Sequence, residues 1–524
     1  MNVSRLSSVA RTTASLAVHP RRWPDARKHI GRAWRGPSGS GSAGAPLVVT
    51  DGPVRRSVRA VVLLDTALVD AFAVEWQQTS WQPETDLTGF DVAVVQWPAA
   101  PGTSPEDLAA AALAADVPLV VWDVDAPGRP THSLAGASVV VRSAGRAADY
   151  PGAEVAGGYF QPRAKNPVRA KGRAARSVTL DVTPDSTTPG ALPRTVQRRA
   201  DTVVLTGPED RFLPAAAAAA ATGAIVLAPG ARTDLPADLV VVDEDEHLPD
   251  ALARHTELRR RYAHKCLRAA LRDHSTVVAA HRLLDAANVP DPYADGSVSA
   301  IVPTMRPAQI GHVVDFLARQ SHPSVQLVLV AHGFEATETT QRLAAERGLE
   351  NTVVIEADAS LSLGALMNLG VDAADGRYVA KMDDDNFYGR DYLADLVRTF
   401  DFSGAQVTGK WAHFTYLEGS GATFLRFPAS ENKFVKLVQG GTLLMPRDVA
   451  AEVRFEDLPR RVDTTFLQKI EAADGRVYSA DRYNFVSVRA SSTDGHTWKI
   501  SDSELLAKPS EQLFFGEPWA HVEL

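Results

Sequence analysis

Short, unbroken runs of β-branched and apolar residues recur along this chain and constrain its fold more than any other feature. "VRAVVLL" (58–64), "FDVAVVQW" (90–97), "VPLVVWDV" (117–124) and "ASVVVRS" (137–143) do not alternate apolar with polar positions. A strand with one wet face would alternate, so these runs fit strands covered on both faces, as in parallel sheets flanked by helices. Between the second and third lies "SPEDLAAAALAAD", where Ser104 is placed to cap a helix with an acidic first turn. A strand–helix–strand series of this kind predicts a Rossmann-like α/β layer.

A stretch rich in Pro, Arg and Thr (161–199) separates that series from a second, "DTVVLTG" (201–207), "GAIVLAP" (223–229) and "ADLVVVDED" (237–245). The alanine run 215–221 is helical by propensity, and the segment 250–288 reads as one long charged helix. "PDPYADGSVS" (290–299) is a turn-rich hinge into a third series: "VSAIVPTMRP" (298–307), "VQLVLVAHG" (325–333), "NTVVIEAD" (351–358) and "RYVAKM" (377–382), with helices between. A chain of 524 residues is too long for one core. The expected division is a basic flexible segment and linker (1–50), a paired Rossmann-type module (55–290), a third α/β domain (297–505) and a tail (506–524).

Composition narrows the partners. With 45% hydrophobic residues, 23% charged and a net charge of −8, this is an ordinary globular chain, and bulk nucleic-acid binding is not expected. The single cysteine, Cys266, rules out an internal disulfide framework and fits a reducing, cytoplasmic setting. No apolar run approaches the roughly 18 residues of a spanning helix. Residues 1–35 hold eight Lys/Arg against one acid, Asp25, and "ASLAV" is too short for a signal-peptide core. Such a run is expected to be a solvated tail; Trp23, Ile30 and Trp34 among the bases also suit peripheral contact with an anionic membrane. His255, His264, His274 and His281 lack acidic or Cys partners at ligand spacing, so they read as solvated or helix-packing residues.

The chemistry concentrates in "GRYVAKMDDDNFYGRDYL" (376–393), where three consecutive aspartates end a buried strand. In open α/β sheets ligands bind at such ends. Adjacent carboxylates repel, so either water or a cation must compensate them; a solvated acidic turn before a helix near Asp391 is the plainer alternative. Strand alternation would put Asp383 and Asp385 on one side and Asp384 on the other.

The ordered set of elements, strand–"VPTMR", two further strands, then "GALMNLGVDAADGRYVAKMDDDN", resembles a family 2 glycosyltransferase of GT-A fold over residues 298–499. The resemblance implies an inverting transfer of sugar from a nucleotide-diphospho-sugar to a glycan or other hydroxyl acceptor, with Mn²⁺ or Mg²⁺, and cell-surface polysaccharide synthesis as the setting. It implies that Asp385 contacts the metal directly, that Asp383 serves the metal or the ribose, and that Asp384 and Asn368 sit on the donor side. Gly440 and Gly441 would let backbone approach the donor sugar or acceptor, and His496 of "HTW" would close the metal shell. Asp463, in "LPRRVDTTFLQKI" (458–470), would be the general base, although Val462 stands where the family has the first acid of a pair. Ala331, His332 and Gly333 replace the family's acidic base-reading turn, so contact with base and diphosphate falls to Thr304, Arg306 and Asp358. The first two series resemble a degenerate, non-catalytic GT-B-like module of the CgeB type. Two rivals stand beside this reading: a glycan- or nucleotide-sugar-binding scaffold without turnover, and a nucleotidyltransferase, for which no Gly-rich triphosphate loop follows the first strand of the third series.

Overall fold

The computed structural model describes residues 53–124, 131, 134, 136–168, 177–181, 200–207, 212–229, 235–243, 247–490 and 506–524. The basic N-terminal segment and His496 lie outside the described residues. The chain divides into two compact units, Gly39–Asp295 and Gly296–Leu524. Both are α/β, and among the described residues no helix is long and apolar enough to cross a membrane.

In the first unit, β1 (Arg55–Leu63), β2 (Trp76–Ser80), β3 (Val92–Trp97), β4 (Leu119–Asp123), β5 (Ser138–Val141) and β6 (Glu154–Val155) form a parallel sheet in the order β2-β1-β3-β4-β5-β6. Its unalternating runs are explained by a core on each face. Val92 and Val94 join Phe72, Trp122 and Leu283 on one side, while Ala93 and Val95 meet Leu108 and Ala112 on the other. β2, "WQQTS", was not legible as a strand because a half-exposed edge strand is fixed by backbone pairing with β1 rather than by apolar pattern. A second parallel sheet, β10-β9-β8-β7, joins β7 (Ser177–Asp181), β8 (Thr202–Thr206), β9 (Ile225–Pro229) and β10 (Val241–Asp243). The alanine helix Phe212–Ala221 packs against β8 and β9 and against the helix Thr256–Asp273, which also contacts β9; methyl side chains permit that close approach. The expected long helix is broken into Leu248–Arg254, Thr256–Asp273 and Thr276–Ala286, the last capped by the Ser275 hydroxyl.

The second unit is built on an eight-stranded mixed sheet. Its strands are β11 (Val298–Thr304), β12 (Val325–His332), β13 (Thr352–Ala357), β14 (Tyr378–Lys381), β16 (Val407–Gly409), β19 (Lys433–Val435), β20 (Leu444–Pro446) and β21 (Val477–Ser479). Their order is β13-β12-β11-β14-β20-β16-β21-β19. The first three strands are laid down outward from β11, and the chain then returns to place β14 on the other side of β11, parallel to it. That reversal is a topological switch point, and it opens a crevice at the carboxyl ends of β11 and β14. The helix Leu363–Ala373, capped by Ser362, makes the return crossing. β20 then runs antiparallel beside β14, with Ala380 opposite Leu444.

A smaller five-stranded sheet, β15-β22-β17-β18-β23, joins β15 (Phe387–Tyr388), β17 (His413–Leu417), β18 (Ala422–Arg426), β22 (Phe485–Arg489) and β23 (Ser510–Phe515). The segment expected as a C-terminal tail is therefore built into the unit. β23 pairs antiparallel with β18, and the following turn of helix, Trp519–Val522, brings Val522 against Phe414 and Val486.

Candidate active site

β14 ends at Lys381, where the amide of Lys381 donates to the Leu443 carbonyl and that of Met382 to the Ile301 carbonyl. The aspartates follow at once, but Asp384 and Asp385 lie in a turn rather than in strand. The expected alternation of side chains therefore does not hold, because a period of two belongs only to extended backbone. Arg306, just past the end of β11, reaches both Asp384 and Asp385, its Nη2 lying 2.9 Å from Asp385 and its Nε 3.1 Å from Asp384. Thr304 donates its hydroxyl to the same Asp384 carboxylate at 2.5 Å. Asp384 is only 5% exposed. Thr304 and Arg306, expected to meet base and diphosphate, thus hold the acidic turn in place.

Asp383 has a separate set of partners. Lys381, 3% exposed, donates to its Oδ1 at 2.8 Å and to the Gly440 carbonyl at 3.1 Å. Lys381 Nζ also lies 3.5 Å from Asp463 Oδ1, so one buried ammonium sits between the two carboxylates. Burial by itself would lower the pKa of this lysine; the charges of Asp383 and Asp463 outweigh it and raise the pKa instead. Asn386 donates to Asp383 Oδ2 at 3.2 Å. The Tyr388 hydroxyl accepts from the Asp383 amide at 2.8 Å and donates to the Gly441 carbonyl at 2.8 Å.

The two glycines are needed for this convergence. A Cβ on Gly440 would stand 2.2 Å from Asp463 Oδ2, and one on Gly441 would stand 2.4 Å from Asp383 Oδ2. No side chain fits at either position while both carboxylates keep their places. Asp463 is in the first turn of the helix Val462–Ala472, whose preceding residue, Arg461, is left-handed at φ 63°. No hydrogen bond reaches its buried Oδ1 among the described residues. Burial and the charge of Asp383 raise the Asp463 carboxyl above the usual range, with Lys381 pulling it back. Burial and Asp383 likewise raise Asp385, and Arg306 opposes them.

Four carboxylates and two cationic side chains therefore meet at the switch point. The excess of negative charge and the all-oxygen donor set fit a hard divalent cation, which Asp383 and Asp385 would hold. Asn368 is placed elsewhere: its amide both donates to the Phe455 carbonyl at 2.9 Å and accepts from the Phe455 amide at 3.0 Å, tying helix Leu363–Ala373 to the chain after β20. Asp358, exposed past the end of β13, accepts from the amide and hydroxyl of Ser360, which lower its pKa. Lys381, Asn386 and Tyr388 were not singled out from sequence. The lysine could have been: a charged residue inside the apolar run "YVAKM" needs a buried anion to pair with.

Residues 299–443, running from β11 through the aspartates to Gly440 and Gly441, match the model of the glycosyl transferase family 2. Asp463 lies beyond the matched residues. No curated protein sequence matches the chain. Similar solved structures include S. aureus TarS residues 1–349 in complex with UDP-GlcNAc, at 18% identity and TM-score 0.31, covering 40% of this chain and 64% of that one. The mannosyltransferase PcManGT from Pyrobaculum calidifontis, with GDP-Man and Mn²⁺, is similar at 16% identity and TM-score 0.31, covering 38% of this chain and 58% of that one. GalNAc-T7 with UDP, GalNAc and Mn²⁺ is similar at 12% identity and TM-score 0.31, covering 38% of this chain and 44% of that one. The chain thus spans less than two thirds of the length of each.

Proposed function

We propose that the second unit is a metal-dependent, inverting glycosyltransferase that moves a sugar from a nucleotide-diphospho-sugar to an acceptor hydroxyl. The observation that carries this reading is the convergence of Asp383 and Asp463 on Lys381 beneath Gly440 and Gly441, at the switch point of a family 2 segment. Asp463 is the base: its carboxylate takes the acceptor proton as the acceptor oxygen bonds to the anomeric carbon and the bond to the diphosphate oxygen breaks. Attack from the face opposite the leaving group inverts the centre, and positive charge develops on the sugar much as in glycoside hydrolysis. Burial raises the Asp463 carboxyl above the ordinary aspartate range, which suits a base, and the Lys381 ammonium 3.5 Å away orients it. Asp383 and Asp385 would hold a divalent cation, which would supply charge neutralisation to the departing diphosphate; His496, outside the described residues, is the further ligand expected from the sequence. Arg306 positions Asp384 and Asp385. The first unit orients the acceptor or a partner and takes no part in the chemistry.

The full chain incubated with a panel of nucleotide sugars, candidate glycan acceptors and Mn²⁺ should release nucleoside diphosphate, and Asp463→Asn and Asp385→Ala should each abolish release. Wild-type turnover in both variants refutes the assignment. Nucleotide-sugar binding without turnover in the wild type identifies a scaffold instead.

A further inference from the structure

The stretch "GALMNLGVD" (364–372) carries a stripe of residues that the transfer chemistry leaves unused. Gly364, Asn368 and Asp372 recur every four residues, so they share one face of the helix Leu363–Ala373. The buried face of that helix, with Leu366, Met367 and Val371, belongs to the core that also holds Ile301 of β11 and Val379 of β14. The stripe meets the segment 454–458, which runs along it in the opposite sense. Asp372 pairs with Arg454 through both guanidinium Nη atoms, Nη2 at 2.9 Å. Asn368 accepts from the Phe455 amide at 3.0 Å and donates to the Phe455 carbonyl at 2.9 Å. Gly364 donates its amide to the Leu458 carbonyl at 3.3 Å, and a Cβ there would stand 1.7 Å from the Glu456 carbonyl oxygen, so no side chain fits at this contact. Ser362, which caps the helix, donates its hydroxyl to Asp457.

The same segment leads into the helix Val462–Ala472, which carries Asp463 in its first turn. The Phe455 ring stacks on Phe466 of that helix at 4.5 Å and 22°, one turn beyond Asp463. Lys469, further along, donates to the Arg454 carbonyl at 3.2 Å and lies 3.4 Å from Glu456. Arg454 and Arg461 bound the segment, both left-handed, at φ 54° and 63°. Residues with a side chain keep that conformation where their surroundings over-determine it. The helix Leu363–Ala373 therefore serves both halves of the site. Its C-terminal end runs into β14 and the aspartates, and its stripe grips the chain that carries the proposed base.

We propose that Asn368 is a positioning residue for Asp463: with Gly364 and Asp372 it straps the segment 454–458 to the helix that leads into β14, and so sets where the base stands relative to the aspartates. The resemblance put Asn368 on the donor side; its contacts put it behind the base. Of the three contacts Asn368 carries the most. Arg454 and Asp372 expose 36% and 60% of their side chains, and an ion pair that open to water contributes little. Asn368 answers both polar groups of one peptide at a part-buried position, and its loss leaves both without their partner. A reacting group is useful only while its support holds it to a fraction of an ångström, which a strap to the strand bearing the other carboxylates provides. The consequence for turnover rests on the glycosyltransferase reading, whereas the strap stands on its own geometry.

Asn368→Leu in the full chain tests this. Amide hydrogen exchange, read by mass spectrometry, should quicken about tenfold or more across residues 454–472 while peptides from β11 and β14 keep wild-type rates. UDP or GDP titrated with Mn²⁺ by calorimetry should bind with unchanged affinity, and its stoichiometry counts the competent donor sites. Turnover per competent site should fall about tenfold or more. A merely structural loss would lower the number of sites and leave turnover per site alone. Unchanged exchange across 454–472, or wild-type turnover per site, overturns the proposal. Weakened nucleotide binding at unchanged turnover per site also overturns it and returns Asn368 to the donor side. Asn368→Asp has the same shape, keeps the bond from the Phe455 amide and loses the one to the carbonyl, so exchange should quicken about threefold. If Asn368→Leu does not fold, unchanged exchange in Asn368→Asp overturns the proposal. Quickened exchange in the variants, with no sugar turnover in the wild type, refutes the transferase reading and leaves the strap as the support of Asp463.

Discussion

Gly440→Ala isolates the placement of the proposed base from its chemistry. The added methyl would stand 2.2 Å from Asp463 Oδ2, whereas ordinary contact begins at 3.4 Å. Asp463 must therefore retreat by about 1 Å, or the Gly440 backbone must move by as much, since the carboxylate is held between Lys381 and the glycine turn. A misplacement of that size at a reacting group costs about 10²-fold in rate. Overpacking at such a point also destabilises by about 1–3 kcal/mol. The expected result is a kcat lower by about 10²-fold with the donor KM nearly unchanged, since the proposed donor site is on the Asp383 side. Nucleoside-diphosphate release under saturating donor measures it. Gly311→Ala is the matched control: it sits in the helix Ile310–Ala318 with nothing within 4 Å of the new methyl, and should be silent or stabilise by about 1 kcal/mol. A Gly440→Ala enzyme as active as Gly311→Ala refutes the argument that Asp463 acts from this position.

Lys381→Met leaves Asp383 and Asp463 without their shared buried cation and should cost about 3–5 kcal/mol, read as a lower urea midpoint at unchanged slope. Added Mn²⁺ should restore part of that loss if a cation can occupy the same carboxylates. The Asp385 carboxyl, raised by burial and by Asp383, contributes stability that is full below the ordinary value of 3.8 and is lost as pH rises through its higher folded value. Asp385→Asn should accordingly stabilise the metal-free protein at neutral pH and make no difference well below pH 3.8, which thermal midpoints across pH will check. In the wild type, Mn²⁺ at a hundredfold its Kd should stabilise by about 2.7 kcal/mol, and the effect should vanish with chelator or in Asp385→Asn. Tyr388→Phe removes the hydroxyl joining the Asp383 amide to the Gly441 carbonyl and should weaken Mn²⁺ binding severalfold by calorimetry.

The sequence by itself determined the α/β class, most of the central strands, and the place of Asp383, Asp384 and Asp385 at the end of one of them. It could do so because a strand buried on both faces admits almost only apolar residues, so its pattern is local and survives without knowledge of neighbours. Edge strands such as β2 and β23 have no such pattern, since backbone pairing to an adjacent strand holds them. The site beyond the aspartates was decided by tertiary structure. That Arg306 grips Asp384 and Asp385, that Lys381 stands between Asp383 and Asp463, and that Gly440 and Gly441 make room for both depends on β11, β14 and β20 lying side by side. Pairings between residues tens of positions apart are fixed by strand order and register, and no local preference of the chain encodes either.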